Sequence, residues 1–499
     1  MTSSQRGVLS IDEGSTGTRA AVVTADGSSG PSFYRPIAVV HPDPLRVEQD
    51  ADELWRHTLQ VAQQAVAWAA DSDVEIVGVA LCTQRATAVL WDSATGRPLA
   101  PAVVWQDRRY AAELEALAQQ WDPVLLPRTG RPVGSRSPFL WAARQIAENP
   151  QARAAADAGR LLFGSIDTWL SWNLNGGTAH AVSASNAAAL GGYLLCEHAW
   201  DPDWLAAVGY PQELAPPLSD DDGDFGYTDP EVLGIRVPIA AAMGDQHASL
   251  IALGALEPGQ GMCMHGTGTF VGALTGDEPA DAANAVDGVL ALVGWRSGGR
   301  SRFSLEAYTS TTGSALRWLV EDLQLFDSAE QISELAATHP RDRDTWFVPT
   351  LAGLRTPMAV PGARACLTGL SLATTRAGIA RAVLEGIAHS VCDTADGLRS
   401  TMDGPLTRLR VGGGLAASDA LMQSQADLSG IPIERVADSA TASLRGVAYL
   451  AGVRLGLWGS LDEVVGARPV GRTFEPATTD HERQELRAEW QRELRKSLP

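Results

Sequence analysis

Apolar and polar positions along this chain place short buried strands beside amphipathic helices, and the clearest such unit comes first. In 8–23, VLSIDEGSTGTRAAVV, an apolar run, a small-residue turn and a second apolar run predict a strand over 8–11. A returning strand follows around Val22 and Val23, with Gly14, Ser15, Thr16, Gly17 and Thr18 as the hairpin between them. The stretch 47–50 predicts a loop entering a helix over 53–70. The run 76–81 predicts a buried strand that delivers Cys82, Thr83, Gln84 and Arg85 to its carboxyl edge. Strand and polar edge then recur: 87–91, a turn at Gly96 and Pro98, and 102–105 leading to Gln106, Asp107 and Arg108. Helical spacing follows over 110–120 and 138–148. Next come a strand over 161–165 and a helix over 167–173 with Asp167 as its cap. The Ala- and Ser-rich 179–192 predicts a packed loop. The stretch 219–229, SDDDGDFGYTD, predicts a mobile acidic turn, its charges either a solvated surface or a trap for a stray cation.

The second half repeats the opening design. In 237–253, VPIAAAMGDQHASLIAL, a strand ends at Met243, Gly244 turns the chain and Asp245 stands as the N-cap of a helix. The stretch 261–271, GMCMHGTGTFV, is again strand, Gly-Thr-Gly-Thr turn and strand. In 409–428, a short strand runs into Gly412, Gly413 and Gly414 and then a helix, and 481–498 predicts a charged terminal helix.

These patterns carry candidate chemistry. Glycines let the backbone approach a ligand, and the N–H groups of the first turn, with three hydroxyls and Arg19, make a concave donor surface for phosphate oxygens. Asp12, at the strand's end, is placed to hold a metal ion through water. An ordinary hairpin whose Gly and Ser serve only turn geometry is the alternative. The strand edges at Arg85 and Asp107 are candidate substrate contacts, or a solvated ion pair. Asp245 is a helix cap or, standing between two similar turns, the carboxylate that faces a transferring group. Two turns, one per half, suggest a duplicated domain gripping phosphate from opposite sides of a cleft. Gly412 to Gly414 allow close approach of a flat or phosphorylated ligand to a helix N-terminus, or merely ease packing.

Composition narrows the choice. A chain of 499 residues, 45% hydrophobic and 20% charged, is globular and long enough for two large domains or about three ordinary ones. It holds no apolar run of the ~18 residues that span a bilayer, and no apolar signal region follows MTSSQRGVL. We therefore expect a cytoplasmic protein. With 39 basic against 59 acidic residues, the net charge of −20 argues against nucleic acid or an anionic membrane as partner. The single lysine, Lys496, excludes a Walker A loop and a protein-kinase ATP lysine. Five widely spaced cysteines read as reduced thiols, and nine histidines without HExxH or HxH clustering argue against zinc.

The ordered set DEGSTGTR (12–19), TQRAT (83–87), VVWQDRR (103–109), FGSIDTWLSW (163–172), GDQHAS (244–249), GTGTF (266–270) and GGGLAASDALMQSQAD (412–427) resembles the FGGY carbohydrate kinases, and within them the glycerol kinases. The resemblance implies an α/β fold of two ribonuclease-H-like domains of the actin, Hsp70 and hexokinase type. These span 1–247 and 248–499, with an interdomain cleft holding ATP and Mg2+. It implies that Asp245 is the catalytic aspartate and, with Asp12, supports the metal. Thr16, Gly17, Thr18, Arg19, Gly266, Thr267, Gly268, Thr269 and Gly313 match phosphate contacts, and Gly413, Gly414 and Ser418 the nucleotide site. Ionised at a helix N-terminus, Asp245 is expected to align the hydroxyl more than to store its proton.

In the substrate pocket Arg85, Trp105, Asp245, Gln246 and Phe270 match, but the glycerol kinases' Glu position is Ala86 and their Tyr position falls on or near Arg136. The implied reaction is phosphorylation of a terminal hydroxyl of a small polyol or sugar, glycerol the leading candidate. Another polyol, a ketopentose or a sugar acid is the alternative acceptor. A noncatalytic actin-like ATPase or sugar sensor is the rival reading, and assembly stands open between homodimer and homotetramer.

Overall fold

Val8, Leu9, Ile11, Val22 and Val23 are fully buried, and the strands they form lie within a five-stranded sheet. The structure, a computed structural model, describes residues 5–341, 343–468 and 470–499. The strands β1 (Gln5–Gly14), β2 (Gly17–Thr24) and β3 (Phe33–Pro36) form an antiparallel meander, and β4 (Val74–Thr83) and β5 (Ile239–Gly244) extend it in parallel, in the order β5-β4-β1-β2-β3. The hairpin is tighter than the sequence pattern suggested. Gly14 pairs with Gly17, so Ser15 and Thr16 alone make the turn. The helix α1 (Ala51–Asp71) is capped by Asp50, whose carboxylate accepts the N–H groups of Asp52 and Glu53, and covers the sheet with Leu54, Val61, Ala62 and Ala65.

A second sheet repeats this plan with seven strands. β6 (Gln260–His265), β7 (Thr269–Gly276), β8 (Leu290–Ser297) and β9 (Arg300–Thr309) form the antiparallel part. β10 (Arg408–Gly413) and β11 (Ile433–Val436) run parallel to β6, and β12 (Val470–Phe474) closes the far edge. In each sheet, then, a hairpin turn lies beside the carboxyl ends of parallel strands. That is where α/β folds collect ligands.

The two sheets meet through helices. α2 (Asp245–Ala252) follows β5, and the long α3 (Arg376–Thr401) and α4 (Asp419–Ser429) pack together beside the second sheet. α5 (Ala442–Arg454) returns from the second sheet to lie on α2, β1 and β4. One apolar core accordingly joins Val8, Ala80, Met243, Ala248, Ile251, Val447, Ala448 and Leu450. Gly446 sits so close to α2 that a Cβ there would lie 1.7 Å from the Ala248 carbonyl oxygen.

Several local expectations are corrected. The 111–129 helix continues nine residues past the predicted end, through Pro123 and Pro127. Both prolines are exposed, which leaves the carbonyls that lose their partners to water. The stretch 179–192 contains a helix, Ala184–Leu190, rather than being loop throughout. Asp167 is not a cap: Ser165 holds that place, and the buried Asp167 carboxylate accepts bonds from Ser165 and Ser183. Asp245 is the first residue of its helix and Gly244 its cap. The acidic 219–229 is no loose turn. Asp221 is fully buried between Ser185 and the Arg296 backbone, Asp220 pairs with Arg296 at 2.7 Å, and Asp222 accepts a bond from Ser297. All five cysteines are free thiols. No described helix is long and apolar enough to cross a membrane.

Candidate active site

The register of the first sheet sets one wall. Asp12, Cys82 and Met243 lie side by side on β1, β4 and β5, within two residues of the strand ends, so Asp12 and Asp245 emerge at the same edge. Asp245 keeps 30% of its side chain open and accepts the N–H of Gln246 at 2.8 Å. Its backbone is braced from below: the Ser185 hydroxyl accepts the Gly244 N–H at 3.0 Å and donates to buried Asp221. Asp12 accepts a 2.8 Å bond from Ser443 of α5. Burial raises the pKa of Asp12, against the Ser443 bond and Arg19. Asp245 is pushed up to about 6 by burial, with Arg85 opposing and Asp12 adding to the rise. A carboxylate near 6 is still largely ionised at neutral pH, yet basic enough to take a proton.

Arg85, just beyond β4, joins the two halves. Its Nη2 meets Glu306 of β9 at 2.8 Å and its Nε lies 3.6 Å from Asp245, while its guanidinium stands 5.9 Å from the Phe270 ring centroid. The alternative pairing with Asp107 is absent: Asp107 is bonded to Arg109 and to the Val47 N–H. Phe270 stacks on Tyr308 at 5.1 Å, and Arg355 lies over the other ring at 4.7 Å from its centroid. Trp105 donates its indole N–H to Ser15 at 2.7 Å, which ties the apolar wall to the first turn. Behind them, Gln84 donates to Gln49, Gln49 donates to the Ser15 carbonyl and Thr87 donates to Gln84. Arg136 lies 5.8 Å from the Trp105 centroid, and Gln246 keeps a buried side-chain oxygen without a hydrogen-bond partner among the described residues.

The turns differ in what they offer. Thr16 is exposed at the tip of the first, and Arg19 reaches across to the Ala440 carbonyl. Thr18 is buried against Thr58, so its hydroxyl is turned from the cleft. In the second, Gly266 and Thr267 are exposed, whereas Thr269 is buried and bonded to Thr312. Gly313 donates its N–H to the Gly266 carbonyl, and a Cβ at Gly313 would lie 2.4 Å from that oxygen. Gly413 has φ 86°, with His265 where a Cβ would go. Gly414 borders open space, and Ser418 caps α4 through the Leu421 N–H.

Glu306, Tyr308 and Ser443 join this site without having been singled out in the sequence. For Glu306 a signal exists, a lone carboxylate inside the apolar alternation of FSLEAY; Ser443 carries none. Removing the Glu306 charge leaves a buried guanidinium with half its partners, so Glu306→Gln is expected to lower kcat/KM about 10- to 100-fold, measured by coupled ADP release with the folded state followed by circular dichroism.

Residues 7–252 match the N-terminal domain and residues 261–455 the C-terminal domain of the FGGY family of carbohydrate kinases. A glycerol kinase of Gloeobacter violaceus is 38% identical over 98% of this chain and 96% of its own. Glycerol kinase 2 of Thermotoga maritima is 33% identical over 98% of each. The crystal structure of Plasmodium falciparum glycerol kinase with ADP superposes with a TM-score of 0.92 at 26% identity, covering 99% of both chains. Full-length likeness at this level has one reading: the chain belongs to the FGGY family of carbohydrate kinases.

Proposed function

We propose that the protein transfers the γ-phosphoryl group of ATP to a terminal hydroxyl of a small polyol, with glycerol the leading candidate. The observation that carries this reading is Trp105. Its ring is an apolar wall for a carbon chain, and its N–H is bonded to Ser15 of a phosphate-type turn. A pure nucleotide switch has no use for such a wall. The relatives at 33–38% identity bear the name glycerol kinase, which supports the same choice.

The chemistry follows from the groups in place. Asp245 accepts the proton of the attacking hydroxyl, whose oxygen bonds to the γ-phosphorus as ADP leaves with the bridging electron pair. Arg85, held by Glu306, keeps Asp245 oriented. The N–H groups of the turns at Ser15–Thr16 and at Thr267–Gly268 donate to phosphate oxygens, the Gly266 N–H being bonded to the Gly268 carbonyl, and the open face at Gly414 takes the nucleotide. Asp12 and Asp245 suit Mg2+. Burial raises both carboxylates and Asp12 adds to the rise at Asp245, and this ion is held by one or two carboxylates with phosphate oxygens and water completing its shell. When bound, Mg2+ supplies charge neutralisation at the phosphates. Domains dividing near residue 247 would close over the substrates and exclude water, in a cytoplasmic enzyme with no nucleic-acid or membrane partner.

The test is a screen by coupled ADP release across glycerol, tetritols, pentitols, ketopentoses and aldonates. Stimulation by one acceptor with stoichiometric phosphorylated product is expected, and hydrolysis indifferent to every acceptor would sink the proposal. A second outcome concerns Ala86. It already occupies the left-handed region at φ 57°, so Glu there adds little backbone cost. Ala86→Glu is expected to raise kcat/KM for glycerol about tenfold through a regained hydroxyl acceptor, and unchanged turnover would show that the pocket is not glycerol-shaped.

A further inference from the structure

In the pocket beside Trp105, Arg136 carries positive charge that no carboxylate among the described residues is bonded to. Arg136 lies over the Trp105 ring with its Nε buried and without a hydrogen-bond partner among the described residues. Burial lowers its pKa; Tyr308 opposes, and the nearby cations Arg355, Arg85 and Arg108 lower it further. Arg131 is pushed down to about 9 by burial and then by Arg136 and Arg85, with Glu306 opposing, and its Nη1 donates to the carbonyls of Ala188 and Ala189. The nearby carboxylates are taken. Asp245 and Glu306 face Arg85, and Asp107 is bonded to Arg109. Ala86 brings none, and a small cavity lies between Ala86, Val104, Tyr110 and Arg136, with Asp107, bonded to Arg109, also in its lining.

A desolvated guanidinium without an anion is costly, and its planar fork fits a carboxylate, so a ligand that supplies one gains more here than a neutral polyol does. Resting on the kinase reading above, we propose that the preferred acceptor is a short polyhydroxy acid, its carboxylate received by Arg136 and its far terminal hydroxyl turned to Asp245. The transfer balances as for a polyol. The hydroxyl oxygen bonds to the γ-phosphorus, the bond from that phosphorus to the bridging oxygen breaks, ADP leaves with the electron pair, and the hydroxyl proton passes to Asp245 and then to solvent.

The experiment compares kcat/KM of the full chain, with ATP and Mg2+, for glycerol, erythritol, glucitol, glycerate, erythronate and gluconate, scoring phosphorylated product by mass. At least one acid is expected to exceed the neutral polyol of equal carbon number by about tenfold or more, and Arg136→Gln to lower that acid-to-polyol ratio about 100-fold. Ala86→Glu, which places a carboxylate beside Arg136, is expected to lower the same ratio and serves if the first variant does not fold. Product from glycerol with no acid preferred overturns this inference and leaves the kinase reading standing. Equal loss for acid and polyol in Arg136→Gln assigns Arg136 a merely structural part and also overturns it. No product from any acceptor overturns both.

Discussion

Asp245→Asn is expected to lower kcat about 10³-fold while ATP affinity stays within about threefold. The amide keeps the shape and the Gln246 N–H contact, and removes the proton acceptor. The pH profile separates this from a general loss of structure. Burial holds Asp245 at about 6, so the wild-type kcat/KM is expected to fall with decreasing pH below that value, where the carboxylate takes up a proton, and to level off above it. In the variant the residual rate loses that acid limb, because nothing at position 245 titrates. Steady-state kinetics between pH 5 and 8 with calorimetric ATP titration checks both halves. Loss of ATP binding with transfer proportionately kept would contradict the role.

Gly446→Val is expected to destabilise the fold by about 3 kcal/mol or more, seen as a Tm lower by several degrees, and to remove most activity. Replacing glycine inside a helix ordinarily gains up to about 1 kcal/mol. Here a Cβ would stand 1.7 Å from the Ala248 carbonyl oxygen, so the helices must part. The consequences reach the chemistry because the same two helices carry it: α2 opens with Asp245, and α5 bears Ser443, which holds Asp12 at 2.8 Å, and Leu444, whose carbonyl receives Ser10 at 2.7 Å. Thermal unfolding with and without ATP measures it. An unchanged Tm would mean that this helix crossing does not support the site.

What the sequence disclosed were the parts dictated by local chemistry. The run 8–23, the turn at 266–268 and the strand-to-helix passage at Asp245 each show a period or a glycine pattern that a short window contains. Elements buried on every side are harder. ASNAAAL at 184–190 lacks a polar face because all seven residues are buried, so its helical period leaves no trace in the pattern. Asp221 reads as solvated because its neighbours are acidic, and only the fold brings Ser185 and Arg296 to it. The same holds for the pocket. Arg85 was visible, but its principal partner stands 221 positions away on another sheet. The missing carboxylate at Ala86 therefore pointed to a deficit without revealing that Glu306 already faces the arginine.

The account depends on two halves of the chain closing on one triphosphate with an acceptor hydroxyl at Asp245. The most direct measurement is a crystal structure with Mg2+, a non-hydrolysable ATP analogue and the acceptor chosen by the substrate screen. The account predicts phosphates between the Ser15–Thr16 turn and the Gly266–Gly268 turn, with the terminal hydroxyl within hydrogen-bond distance of the Asp245 carboxylate and the carbon chain against Trp105. A nucleotide bound away from either turn, or an acceptor hydroxyl out of reach of Asp245, would contradict it.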